Sequence, residues 1–307
     1  MNNDNRFKSN RVLKFSVCDR YVGKQLKVLL KDEFGISTNH LKRMKKLLGY
    51  ILVNGEDSRL DRVLLSGDIV EVNVNDICDK PEVPLMEGNL DIVYEDDFLL
   101  VINKGAGMVV HSAPGRREEA SVANLVMNYL WGKGDKCLFH AINRLDRGTT
   151  GLMVIAKCGY IHSLLMNELH TDNFERQYLA VVCGRLKDKS GMIDYPIARK
   201  EDSVIERVIS EDGDSSLTEY VVEKNTGEYS LVRLWARTGR THQLRVHMSA
   251  VGCPLAGDFL YGVEDTSLIE RAALHSTYLS FIHPVTKEKI VLESEIPEDM
   301  KKIIEEV

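Results

Sequence analysis

Between residues 175 and 237 the chain reads as one strand after another, Tyr178 to Cys183 and Ser230 to Ala236 among them, with no long helix between them. That run constrains the fold more than any other feature, because a doubly wound parallel sheet needs a helical crossover between successive strands. Leu99 to Asn103, Met108 to His111, Leu152 to Ala156 and Ile290 to Glu293 are further strand-like stretches. Helical periodicity marks 121–130, 160–170, 241–250 and 298–305, with Ser121 and Thr241 placed to cap two of these helices. The expectation is an α+β chain: a mixed, mostly antiparallel sheet flanked by helices, preceded by a small N-terminal α/β module.

Charge sets that module apart. The 307 residues carry a formal charge of −6, which argues against a phosphate-rich partner only if it is evenly spread. Residues 1–80 hold 15 Lys and Arg against 11 Asp and Glu, whereas the other 227 hold 25 against 35. No acid occurs between Phe34 and Gly55, and Lys42, Arg43, Lys45 and Lys46 crowd that stretch. Leu26, Leu29, Leu30 and Phe34 recur at helical spacing, and Ser37 or Thr38 can cap a second helix whose apolar positions are Leu41, Met44, Leu47 and Leu48. Ile51 to Val53, Leu64-Leu65 and Ile69 to Val72 read as short strands, with a turn at Asn54-Gly55. A solvated helix face usually mixes both signs, so a face of cations alone points to phosphate contact. Asp76 to Asn89, with two prolines and a glycine among acidic residues, reads as a linker dividing the chain into 1–75 and 90–307.

No apolar run approaches the roughly 18 residues of a membrane span, and the opening MNNDNRFKSN is polar, so the expected location is the cytoplasm. Six cysteines lie far apart without a CxxC pair, which argues against a zinc ribbon and a disulfide framework. The phosphate-loop, dinucleotide and HExxH signatures are missing, and His242 and His247 do not share a helix face; neither a cofactor nor a metal is expected. Side chains must then carry any chemistry. The densest candidate is Asn143-Arg144-Leu145-Asp146-Arg147-Gly148-Thr149-Thr150-Gly151, a carboxylate between two arginines on a loop that enters an apolar strand. Neighbouring cations favour the ionised form, which suits a nucleophile, although bracing a loop is the commoner use of such a pair. Thr238 to His247 places Gly239, Arg240 and Thr241 at a strand-to-helix junction, where a guanidinium can receive a carboxylate or a phosphate.

Taken in order, these motifs resemble the RluA-type pseudouridine synthases. That family's HRLDxxTSG motif, followed by a hydrophobic strand, is matched by Asn143 to Gly151. Lys104 to Gly107, Tyr178 to Gly184, Thr238 to His247, Gly257 to Gly262 and Leu274 to Pro284 also run in family order, over nearly all of 90–290. Residues 13–75 are similar to the RNA-binding module named after ribosomal small-subunit protein S-four, through the basic second helix, Tyr50 to Gly55 and Gly67-Asp68. Three positions depart from the catalytic family: Asn143 stands where His is usual, Thr150 where Ser is common, and Gly105 where Pro follows the Lys.

The resemblance implies isomerisation of uridine to pseudouridine within RNA, expected in large-subunit ribosomal RNA, by a monomer that needs no cofactor. It implies Asp146 as catalytic aspartate, attacking carbon 1′ or the pyrimidine ring, or removing a sugar proton. Tyr178 would stack on the uracil near its carbon 5, and Arg240 would pair with the Asp146 carboxylate. Arg144, with Lys42, Arg43, Lys45 and Lys46, would contact the RNA. The alternatives are the same chemistry on transfer RNA, a non-catalytic RNA-binding or ribosome-assembly factor, and a two-carboxylate glycosidase, for which only Asp146 has a motif behind it.

Overall fold

The computed structural model describes residues 11–112 and 119–305. Its first unit contains Val12–Ser16 (β1), Leu26–Asp32 (α1), Thr38–Met44 (α2), Ile51–Val53 (β2), Glu56–Asp57 (β3) and Ile69–Asn73 (β4). The sheet runs β1-β4-β2-β3 and is antiparallel throughout. Leu26, Leu29 and Leu30 of α1 and Leu41 and Met44 of α2 share a buried core with Val53, Val70 and Val72 of the strands. Ser37 caps α2, its hydroxyl accepting from the His40 amide at 3.2 Å. Because α2 ends at Met44, Lys45 and Lys46 fall in the following turn instead of on the helix, and all four cations are exposed. Leu64-Leu65 is a loop and not the expected strand: Leu64 exchanges backbone hydrogen bonds with Gly23 and Lys24.

The second unit begins with Ile92–Glu95 (β5), Leu99–Lys104 (β6), Val122–Gly132 (α3), His140–Ala141 (β7), Thr150–Ala156 (β8) and Gly159–Glu168 (α4). Phe174–Cys183 (β9), Ser190–Asp194 (β10), Ile197–Arg199 (β11), Arg207–Ile209 (β12), Leu217–Thr226 (β13) and Tyr229–Ala236 (β14) follow. Gln243–Ala250 (α5), Leu274–Ile282 (β15), Lys289–Glu293 (β16) and Glu298–Glu305 (α6) complete it. One large sheet runs β10-β13-β14-β9-β15-β8-β6-β5, with β16 beside β15 and β7 beside β8, while β11 and β12 form a separate hairpin. Only the β15–β8 pair is parallel, so the architecture is the mixed, mostly antiparallel α+β arrangement expected. Among the described residues no helix is long and apolar enough to cross a membrane.

Met108 to His111, expected as a strand, is none. Its carbonyls are engaged elsewhere: Val109 and Val110 accept the first amides of α3, at 2.9 and 3.1 Å. Those amides would otherwise be orphans of the helix start. The expected cap Ser121 closes the same helix end through a capping box with Asn124.

The stretch read as a linker is docked. The Asp76 carboxylate accepts from the amides of Leu138 and Gly159 at 2.8 and 2.9 Å and lies 2.9 Å from His140 Nε2, while Asn124 Nδ2 donates to Pro84 O at 2.7 Å. The two units also share one core, and the Tyr160 hydroxyl donates to Phe34 O at 2.7 Å.

Where β8 and β15 run parallel, Gly151 faces Ser276 with φ +109, and a Cβ there would fall 2.2 Å from Ser276 O. Backbone on both strands leaves nothing free to yield. Gly151→Ala should therefore destabilise the protein by about 3 kcal/mol or more; a urea midpoint equal to wild type would contradict the close approach.

Candidate active site

Asp146 stands on the loop between β7 and β8, and that loop is tied down along its length. Thr149 N donates to Asp146 O at 3.1 Å, and Arg271 Nη1 reaches Gly148 O at 3.2 Å and Leu274 O at 3.1 Å. Lys104 Nζ donates to Arg147 O at 3.2 Å and to Gly105 O and Met108 O at 2.9 Å each, joining the turn after β6 to the Asp146 loop. Burial pulls the Lys104 ammonium down to about 8, against the attraction of Asp146. Asn143 is buried and braces the strand that follows: its Nδ2 donates to Leu152 O at 3.3 Å and its Oδ1 accepts from Val154 N at 2.8 Å. Thr150 shares a 2.8 Å hydrogen bond with His275 Nδ1. Two of the three departures from the family, Asn143 and Thr150, thus have bracing roles.

The Asp146 carboxylate, 30% exposed, lies 3.7 Å from Arg245 Nη1 and 3.9 Å from His242 Nε2. Arg245 is buried, and Asp258, with no exposure, grips it in bidentate fashion at 2.7 and 2.5 Å. The guanidinium also lies 5.1 Å from the Tyr261 ring centroid and 5.8 Å from that of Phe259. His242 Nδ1 is 2.8 Å from the Tyr261 hydroxyl, whose oxygen accepts from Arg207 N at 2.9 Å. Burial holds the His242 imidazole below its usual pKa although Asp146 opposes it.

Arg240 does not take the place expected of it. Its Nε donates to Ser215 O at 3.2 Å and its Nη1 lies 3.6 Å from Asp214. The reason is where the helix starts. Thr241 does not cap it; His242 turns left-handed at φ +57 and α5 begins at Gln243, so residue 240 stays on the outer loop and residue 245 sits in the inward-facing first turn. Gln243 locks this arrangement, accepting from Arg240 N at 3.1 Å and donating to Leu217 O at 2.9 Å. Arg245 belongs to the motif read from the sequence, and Asp258 to another, but nothing in spacing couples them.

Two clefts of about 1320 and 580 Å³ meet at Asp146. Tyr178, a buried residue of β9, is also among the residues lining the smaller cleft; burial pushes its phenol up, with Arg176 opposing the shift and the Asp146 charge adding to it. Arg144, Arg147, Arg176, Arg240 and Arg245 line that cleft, and Asp146 is the one carboxylate among its described lining residues. Lys42, Arg43, Lys45 and Lys46 line neither cleft and remain on the surface of the first unit.

The site thus brings together an aspartate on the loop before a buried strand, an arginine from α5 and a tyrosine from β9, and comparison with known proteins gives its class as RNA base isomerases. Residues 98–250 match the family described as RNA pseudouridylate synthase. The chain is 40% identical over 278 residues to the uncharacterised RNA pseudouridine synthase YjbO of Bacillus subtilis, covering 89% of this chain and 95% of that one. It is 33% identical over 308 residues to ribosomal large subunit pseudouridine synthase D of Vibrio parahaemolyticus, covering 96% and 94%. The solved structure of human RNA pseudouridylate synthase domain containing 4 superposes with a TM-score of 0.56 at 25% identity, over 69% of this chain and 90% of that one. The chain belongs to the RNA pseudouridine synthase family and isomerises uridine in RNA.

The geometry separates the two arginines experimentally. Arg245→Ala should cost at least roughly a hundredfold in pseudouridine formation and, by leaving Asp258 buried without its counter-charge, about 3–5 kcal/mol of stability. Arg240→Ala should stay within a few-fold of wild type; the opposite ranking would return the pairing role to Arg240.

Proposed function

We propose that this chain modifies large-subunit ribosomal RNA, as a cytoplasmic monomer, with Asp146 as its catalytic carboxylate. The observation that carries this reading is the smaller cleft, where one carboxylate is surrounded by five arginines with Tyr178 among the lining residues. Arginines suit phosphate oxygens, and the Asp146 carboxylate, which faces Arg245 at 3.7 Å, is still 30% exposed and so open to a ligand entering the cleft.

The reaction cleaves the bond from uracil nitrogen 1 to carbon 1′, turns the base, and joins carbon 5 to carbon 1′. The proton leaving carbon 5 is balanced by one taken up at nitrogen 1, so nothing is added or removed. Extruding the uridine costs a few kcal/mol in unstacking, which arginine contacts to neighbouring phosphates offset. From its loop, the Asp146 carboxylate is placed to act on the sugar or on the ring. Tyr178, held protonated by burial, offers the uracil an aromatic face and a hydroxyl near carbon 5. Arg144, exposed at the rim, contacts the RNA backbone.

The ribosomal target is supported by the curated relative named as a large-subunit enzyme and by the first unit, whose four exposed cations extend the phosphate-binding surface beyond the cleft. Pseudouridine maps of total RNA from cells with and without the protein test the assignment directly. Loss of large-subunit sites on deletion, unrestored by Asp146→Ala, is the expected result. Loss confined to transfer RNA would move the target, and full rescue of a deletion phenotype by Asp146→Ala would favour an assembly factor.

Replacing Lys42, Arg43, Lys45 and Lys46 together by Ala should weaken RNA binding and flatten its logarithmic salt dependence by about 0.7–0.9 for each phosphate no longer neutralised. Deleting residues 1–75 would be a poorer test, since the first unit shares its core with the second. An unchanged salt slope in the fourfold variant would remove the first unit from RNA binding.

A further inference from the structure

We propose that Phe259 and Ile205 form a second nucleobase subsite beside Asp146, which receives an unpaired base adjacent to the target uridine. The proposal rests on the RNA reading above and adds a specificity surface to it. Phe259 follows the buried Asp258 and is 60% exposed, and Ile205, in the turn between β11 and β12, is 54% exposed. Both line the larger cleft together with Asp146, His242 and Arg245. Large apolar side chains left open to solvent at the edge of a polar site hold a hydrophobic gain that is realised only when a ligand covers them.

Neither side chain sits on a loose loop. The turn carrying Ile205 is closed by Ser203, whose hydroxyl accepts from Ile205 N at 3.3 Å and Glu206 N at 3.0 Å, while Arg199 Nε donates to Ser203 O at 2.9 Å. The hairpin is fastened to the site by the Arg207 N to Tyr261 hydroxyl bond of 2.9 Å, and that hydroxyl is 2.8 Å from His242 Nδ1. The Phe259 ring centroid is 5.8 Å from the guanidinium that faces Asp146. The apolar pair is therefore registered to the reacting centre through two connections, one to His242 and one to Arg245.

The occupant follows from how the clefts join. Asp146, Arg147, Thr149, His242 and Arg245 border both of them. With the target base against Tyr178 in the smaller cleft and its sugar at Asp146, a neighbouring nucleotide can reach the larger cleft across that shared border. At about 1320 Å³ that cleft exceeds what one base needs. Its wall also carries Arg147, which pairs with Glu119, and Lys302, together with Glu264, Glu270 and the Arg271–Asp299 pair. Cations for a phosphate and an aromatic face for a base are the two parts of a single-strand binding site.

The test is a cycle between protein and RNA. The shortest fragment of the mapped RNA that wild type modifies is made with an abasic residue at each position flanking the target. Its affinity is measured in the Asp146→Ala background, with and without Phe259→Ala, and KM and kcat are measured in otherwise wild-type protein. Removing the base that stacks on Phe259 should weaken binding roughly tenfold. Phe259→Ala should do the same to the intact RNA, and the two together should cost no more than either alone. Phe259→Trp should keep the affinity, and Ile205→Ser, which leaves the ring and Arg245 in place, should raise KM more than it lowers kcat. Additive losses at every position, or intact-RNA affinity unchanged by Phe259→Ala, would overturn the subsite while leaving the synthase reading standing. A protein that modifies no RNA would overturn both.

Discussion

Asp258 has no exposure to water, and its two oxygens take the Nε and Nη2 hydrogens of Arg245, which leaves Nη1 as the group that faces Asp146 at 3.7 Å. A buried ion pair of this kind is a poor source of stability, because desolvating both charges cancels most of their attraction. What it supplies is direction. The guanidinium fork fixes the plane of Arg245 against one carboxylate while presenting a further N–H to another, which a lysine ammonium cannot do. Asp146 consequently meets a positive charge whose position is set from behind, by a residue that never touches it.

The sheet supplies the other half of the geometry. Gly151, Ser276 and Tyr178 are register partners across three neighbouring strands, β8, β15 and β9. Because Gly151 lies just after the Asp146 loop, this row fixes how far Tyr178 stands from Asp146. The missing Cβ at Gly151 lets the parallel seam close, and Ser276 Oγ donates to Leu152 O at 3.1 Å on the same seam. Arg271, bonded to the carbonyls of Gly148 and Leu274, locks the loop to the entrance of β15. Position therefore passes from strand register to loop and from loop to carboxylate, so the site is as rigid as the sheet.

Much of this was legible in the chain itself. An uninterrupted apolar run such as Leu152 to Ala156 has one outcome, a strand buried on both faces, and the Asp146 motif before it marks the loop. Local chemistry likewise revealed the Ser121 cap. What stayed hidden depends on partners distant in sequence. Arg240 and Arg245 have the same side chain five residues apart, and only the left-handed turn at His242 and the remote Asp258 decide which one faces inward. Met108 to His111 has strand composition, but the amides of α3 claim its carbonyls. The segment after Asp76 has linker composition, yet the unpaired amides of Leu138 and Gly159 capture its first carboxylate. Composition records what a segment can do alone, and each exception answers a polar group supplied by another part of the fold.

Charge shows the same division between local and global. An overall −6, the balance of +4 on residues 1–80 and −10 on the other 227, would repel a polyanion at long range. Yet electrostatic fields decay over about 8–10 Å at physiological ionic strength, so acids elsewhere on the surface are largely screened from RNA seated in the cleft. Cations that line a cleft act at contact distance, where screening is weak and low-dielectric walls strengthen each interaction, and five arginines line the cleft beside Asp146. The surrounding acids then penalise loose contact between polyanion and protein more than they penalise docking. A negative net charge with cations concentrated in a cleft therefore favours a seated polyanion over one held loosely against the surface, which serves selectivity and does not oppose binding.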